Sequence, residues 1–309
     1  MINLETQIGA LQLKNPVITA SGTFGYGLEF DPFCDISEIG AIVVKGLTLN
    51  PKQGNKPPRL AETPAGLLNS IGLENIGIDF FIKEKLPVLR EYGATVIANI
   101  SATSIDDFII LTEKASEAKG IGAIEVNISC PNVSKGGMQF GTDPEATAKV
   151  TEAVVKHSKI PVIMKLSPNV TNISEFARIC EDKGATSISL INTLLGMAID
   201  VRSKRPVLGN LFGGLSGPAV KPVALRMVWQ VTDAVKIPVI GMGGIMNAED
   251  AIEFFLAGAS AISVGTVNMI NPSAAIEVSN GIKKYLEDNN FQSLNEIIGL
   301  AKINHQAGK

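Results

Sequence analysis

Eight short apolar runs, at residues 17–20, 41–44, 95–100, 123–128, 161–166, 187–191, 238–241 and 261–264, recur along the chain, with stretches of helical period between most of them. Runs this short read as strands, and strands alternating with helices pair in parallel, because each crossover returns the chain to the same end of the sheet. Eight such units predict an α/β fold, a closed (β/α)8 TIM barrel. The 309 residues show no linker-like stretch, so a single domain over residues 1–309 is expected. A hydrophobic content of 45% fits strands buried on both faces. Residues 3–13 alternate weakly around Ile8-Gly9-Ala10 and read as a hairpin that would plug the N-terminal end of the barrel. Lys159-Ile160-Pro161-Val162-Ile163 is echoed by Lys236-Ile237-Pro238-Val239-Ile240, through either duplication or shared strand-entry chemistry.

A barrel of this kind carries its chemistry at the C-terminal ends of its strands. Those ends are polar: Ser21-Gly22, Lys45-Gly46, Asn99, Asn127, Lys165, Asn192-Thr193, Gly243-Gly244 and Gly265-Thr266. One lysine after an apolar run snorkels to solvent. Two lysines with three asparagines at equivalent places describe a pocket for an anionic, amide-rich ligand. Glycine-rich turns at Gly213-Gly214-Leu215-Ser216-Gly217, Gly241-Met242-Gly243-Gly244 and Gly265-Thr266 follow the sixth, seventh and eighth strands, where backbone N–H groups and a helix N-terminus commonly hold phosphate. No G-x-G-x-x-G with a following acidic residue opens a strand-helix unit, so no dinucleotide fingerprint is visible. Two connections, 47–75 and 194–218, are far longer than usual and are expected as functional loops over the same mouth. Arg202-Ser203-Lys204-Arg205 in the second reads as a solvated hairpin tip.

Asn127-Ile128-Ser129-Cys130-Pro131-Asn132 closes the fourth apolar run, and Pro131 forbids its continuation. A lone cysteine is ordinarily a small hydrophobe. Polar Asn127 and Asn132 around a strand end instead favour Cys130 as a base, under a loop containing Gly136-Gly137 before Thr142 or Asp143 caps a helix. Two histidines, one in a helical stretch and one in the tail, argue against a Ser-His-Asp triad or a His-rich zinc site. Three scattered cysteines suit a reducing cytoplasm. A net charge of −3 gives no footprint for nucleic acid. No apolar run spans a membrane and the first residues lack a signal-peptide pattern, so a cytoplasmic location is expected.

The run Asn127–Asn132, with Gly136-Gly137 and Phe140-Gly141-Thr142-Asp143-Pro144 behind it, resembles the active-site loop of the class 1 dihydroorotate dehydrogenases, most closely the class 1B catalytic subunit. The resemblance covers nearly the whole chain. It implies oxidation of dihydroorotate to orotate in de novo pyrimidine (UMP) biosynthesis, with one FMN per chain and no metal. It assigns FMN contacts to Ser21, Lys45, Gly46, Asn99, Asn127, Lys165, Ile191, Gly217, Gly243, Gly244, Gly265 and Thr266. Orotate contacts fall on Lys45, Asn69, Ser70, Ile71, Gly72, Leu73, Asn127, Asn192 and Thr193, and the proton-accepting base on Cys130. Lys165 is expected to stabilise the anionic reduced flavin. The resemblance further implies that NAD receives the electrons through a partner subunit carrying FAD and an iron-sulfur cluster, around a homodimeric core of a heterotetramer. Class 1A relatives have a different loop after the cysteine and use fumarate.

Two other functions share some of these features. Barrel isomerases and lyases also hold sugar phosphates on late glycine turns, but would leave Cys130 and its asparagines without a role. A non-catalytic flavin-binding protein needs the glycines but no base.

Overall fold

The structure, a computed structural model, describes residues 2–129 and 140–307. The chain opens with an antiparallel hairpin, β1 (Thr6–Ile8) and β2 (Leu11–Leu13). Next come β3 (Val17–Thr19) and β4 (Ala41–Val43), then an inserted pair, β5 (Leu60–Thr63) and β6 (Gly66–Asn69). After these lie β7 (Val96–Ile100), β8 (Ile121–Asn127), β9 (Val162–Lys165) and β10 (Ser187–Leu190). A second insertion holds β11 (Leu194–Gly196), β12 (Ile199–Asp200), β13 (Arg205–Pro206) and β14 (Gly213–Ser216). The last strands are β15 (Val239–Met242) and β16 (Ala261–Val264).

The expected (β/α)8 barrel is present. Its order is β10-β15-β16-β3-β4-β7-β8-β9, closed on itself, and every pairing is parallel. Helices cross between strands wherever the sequence supplies an apolar stripe and a start signal. In Ile105–Glu117 the buried residues Phe108, Leu111, Thr112 and Ala115 recur at helical spacing, and the Ser104 side chain accepts from Asp107 N–H at the start. Asp143 does the same for Pro144–His157, and Asn247 for Ala248–Leu256. Between β3 and β4 only the 3-10 turns Leu28–Phe30 and Ile36–Glu38 appear.

Because strand side chains alternate between faces, the barrel has two cores. Outward residues such as Val96, Ala98, Ile124 and Val126 pack with the helices. Inward residues Ile18, Ala41, Val43, Ile97, Ala123, Ile163, Ile240 and Ala261 pack on Ile8 and Leu13 of the hairpin, which therefore plugs the barrel floor as expected. The two long connections, expected as loops with a hairpin only near residues 202–205, hold more strands than that. β5 and β6 from one and β11 and β14 from the other form a single antiparallel sheet, ordered β11-β14-β6-β5. The exposed hairpin β12–β13 carries Arg202 and Lys204 at its solvated tip. His157 pairs with Glu113 between two outer helices, and His305 is exposed.

Candidate active site

The inward parity that builds the apolar floor also builds the site above it. Two residues beyond Ile97, Ala123, Ile163 and Ala261 stand Asn99, Glu125, Lys165 and Ser263, all buried, and Asn127 follows Glu125 on the same face. Strand register then makes neighbours of residues far apart in sequence: Asn99 opposite Glu125, Asn127 opposite Lys165, and Ser189 opposite Lys165. Over them opens a cavity of about 990 Å³, roofed by the inserted sheet.

Ser21, Lys45, Gly46, Asn99, Asn127, Lys165 and Ile191 line this cavity on the barrel side. Asn69, Ser70, Ile71, Gly72 and Leu73 reach it from the first insertion, and Asn192 and Thr193 from the end of β10. Gly217, Gly243, Gly244, Gly265 and Thr266 border its remaining edge. Cys130 lies outside the described residues, as do Asn132 and Gly136-Gly137; Ser129, its chain neighbour, lines the cavity.

Lys165 Nζ donates to Ser21 Oγ at 3.1 Å and stands 3.5 Å from Glu125 Oε2, while Asn99 Nδ2 donates to the same Glu125 oxygen at 3.2 Å. Asn127 Oδ1 accepts from Ser129 N–H at 3.1 Å and from Asn192 Nδ2 at 3.3 Å. Asn192 Oδ1 in turn accepts from Thr193 N–H at 2.8 Å. Asn169 clamps this turn, donating to Thr193 C=O at 3.1 Å and accepting from Leu195 N–H at 2.9 Å. Asn69 Nδ2 donates to Gly214 C=O at 3.2 Å, tying the two insertions together. The Lys45 ammonium has no hydrogen bond or ion pair among the described residues, while its backbone N–H donates to Gly25 C=O at 2.8 Å. Since Glu125 stands beside Lys165, Lys45 is the unpaired cation among the described residues that line the cavity, which suits an anion.

At the glycine edge the backbone requires glycine. Gly217, Gly243 and Gly244 have φ of +92°, +125° and +76°. A Cβ on Gly217 would lie 2.8 Å from Gly66 Cα, and one on Gly244 would lie 2.8 Å from Lys221 N. Thr266 Oγ1 donates to Ser216 Oγ at 2.8 Å beside them. The helix N-terminus expected here is that of Lys221–Thr232, entered through the 3-10 turn Pro218–Val220, and a second 3-10 turn spans Thr266–Met269.

Sequence reasoning missed Glu125, Ser167, Asn169 and Ser263. An acid inside an otherwise apolar run was the available signal for Glu125. Ser167 and Asn169 follow β9 in a loop without periodicity. The thiols of Cys34 and Cys180 sit elsewhere; burial pushes Cys180 up to about 12, and burial with nearby Asp35, Asp31 and Glu38 raises Cys34.

The dihydroorotate dehydrogenase family model matches residues 3–286. The chain is 57% identical over 302 residues to the catalytic subunit of dihydroorotate dehydrogenase B (NAD(+)) of Desulforamulus reducens, covering 98% of this chain and 99% of that protein. It is 54% identical over 297 residues to the protein of that name from Geotalea uraniireducens, covering 96% and 97%. With that of Bacteroides thetaiotaomicron it shares 54% identity over 303 residues, covering 98% and 100%.

Proposed function

The chain belongs to the dihydroorotate dehydrogenase family, and on that premise we propose that it is the class 1B catalytic subunit, one FMN-binding barrel domain over residues 1–309 that oxidises dihydroorotate to orotate in pyrimidine biosynthesis. NAD is the final acceptor, reached through a separate electron-transfer subunit that carries FAD and an iron-sulfur cluster. The observation that carries this reading is the convergence of Lys45, Lys165, the amides of Asn69, Asn99, Asn127 and Asn192, and the glycine turns on one cavity at the barrel mouth. No helix among the described residues is long and apolar enough to cross a membrane, which agrees with a cytoplasmic enzyme.

The residues fit FMN. Asn99 Oδ1 and Ser263 Oγ are buried without a hydrogen-bond partner and line the cavity, so a ligand with polar ring atoms would satisfy them. Positive-φ turns at Gly217, Gly243 and Gly244 leave backbone N–H groups unshielded by side chains, as a phosphate requires. When bound, FMN supplies the hydride acceptor. The chain's own residues do the rest. Lys45, Asn127, Asn192 and Thr193, with residues 69–73, hold the substrate's carboxylate and ring amides. Their mutual hydrogen bonds fix the direction of each amide before substrate arrives, which lowers the cost of ordering the complex. Lys165 stabilises the negative charge that accumulates on reduction. Cys130 as thiolate takes the proton that leaves with the hydride, returning it to solvent after orotate departs. The raised thiols of Cys34 and Cys180 suit neither to this task.

Anaerobic titration of the purified yellow protein with dihydroorotate tests the assignment. Bleaching of the flavin absorption with formation of orotate is expected; colourless protein, or flavin left oxidised by excess dihydroorotate, refutes it.

A further inference from the structure

The barrel interior holds an ion pair of which the reaction uses only one partner. Glu125 is 2% exposed and Lys165 4%. A carboxylate withdrawn from water is costly unless paired, and a neutral replacement for a buried pair is often as stable, so packing alone does not explain Glu125. Its two contacts do. With Nδ2 donating to Glu125, the Asn99 amide is pinned, and its partnerless Oδ1 is turned towards Gly46, 2.9 Å from where a side chain there would begin. The cavity thereby gains a fixed acceptor. The same Glu125 oxygen lies 3.5 Å from Lys165 Nζ and offsets part of that cation's field.

We propose that Glu125 is a positioning residue of this site. It fixes Asn99 as an acceptor and holds Lys165 partly neutralised, so that the site favours the reduced, more negative form of its flavin less strongly than a bare lysine would. This rests on the FMN assignment above. Glu125 acts through Lys165: its carboxylate oxygen lies 3.5 Å from that ammonium, so the field it offsets is chiefly that of Lys165.

The test is the midpoint potential of the bound flavin in the FMN-loaded chain, measured by dye equilibration for the wild type, Glu125→Gln, Lys165→Met and the double variant. Glu125→Gln should raise the preference for reduced over oxidised flavin about tenfold, an upward shift of about 30 mV for a two-electron couple. Lys165→Met should shift it downward, and adding Glu125→Gln to Lys165→Met should shift it upward by less than Glu125→Gln does alone. A merely structural role would lower flavin content without moving the potential, and that result overturns the inference. So does a shift by Glu125→Gln that persists undiminished in the Lys165→Met background. Should Glu125→Gln fail to fold, Glu125→Asp, which keeps the charge but draws it back by one methylene, should shift the potential upward by less; an unmoved potential there also overturns the inference. Wild-type protein that binds no FMN would sink the cofactor assignment and this inference together, whereas FMN-loaded wild type with an unresponsive Glu125→Gln sinks the inference alone.

Discussion

Replacing Gly244 by alanine separates two costs that the glycine edge combines. Gly244 has φ of +76°, and an alanine there bears roughly 1–2 kcal/mol for the left-handed backbone. Its Cβ would also lie 2.7, 2.8 and 2.9 Å from Lys221 Cβ, N and Cα. That backbone cannot yield easily, because Lys221 starts the helix Lys221–Thr232 with Pro222 behind it, and its ammonium is anchored to Asp250 at 2.6 Å and Glu253 at 2.7 Å. Overpacking of this kind adds about 1–3 kcal/mol. Gly93→Ala is the control: it has nearly the same φ, +69°, but nothing within 4 Å of its Cβ, and it lies in the turn before β7. Urea unfolding of the FMN-free chains should therefore show Gly93→Ala destabilised by the backbone cost alone and Gly244→Ala by about 2–5 kcal/mol, the sum of both. On the proposed role of this turn in holding the FMN phosphate, displacing it would remove a charge-assisted contact, roughly 1.5–3 kcal/mol, so FMN affinity by fluorescence titration should fall about ten- to hundredfold in Gly244→Ala only. A Gly244→Ala protein no less stable than Gly93→Ala, with wild-type FMN affinity, would refute both the steric and the phosphate reasoning.

Cys130→Ser should reduce its flavin far more slowly with dihydroorotate while binding orotate nearly as well, in single-turnover kinetics near neutral pH. In the wild type the same rate should climb as pH rises through the thiol pKa, about 8.5 if unperturbed, because only the thiolate accepts the proton; a rate that falls with pH contradicts a thiol base. Lys45→Ala should weaken orotate about ten- to hundredfold, the loss of roughly 1.5–3 kcal/mol, by spectral titration. The isolated chain should turn over dihydroorotate with artificial acceptors but reduce NAD poorly, since a ferredoxin-type cluster needs four cysteine ligands and the chain has three cysteines. Steady-state NAD reduction with and without the electron-transfer subunit checks this, and equal fast rates would contradict it.

The barrel was legible because each strand announces itself twice, as an apolar run and as a polar residue where the run ends. Lys45, Asn99, Asn127 and Lys165 were found in that way, and the structure brings them to one mouth. Glu125 was not, because one acid inside 121–127 reads locally as a break in the apolar run; only the register with Asn99 and the pairing with Lys165 explain it. The inserted sheet escaped for a related reason. Its strands are three or four residues long and find partners from the other insertion, so no local period betrays them. Asn169 was missed because its role depends on where the backbone of Thr193 and Leu195 arrives. Cys130 was singled out from its sequence neighbours and lies outside the described residues.

The sheet that joins the two insertions also bears on how the protein assembles and opens. Asn69 and Gly214, bonded across it, are 145 residues apart in the chain, and closing so wide a loop is entropically costly before any contact rewards it. Barrel strands that neighbour one another in sequence carry no such burden. The roof of the cavity is thus expected to complete after the sequence-adjacent staves β7, β8 and β9 beneath it and, being small and partly solvated, to open at a lower free energy than they do. Its amide protons should then exchange ahead of those of β7, β8 and β9, so that a ligand could enter through a local event that leaves the barrel and its buried ion pair intact.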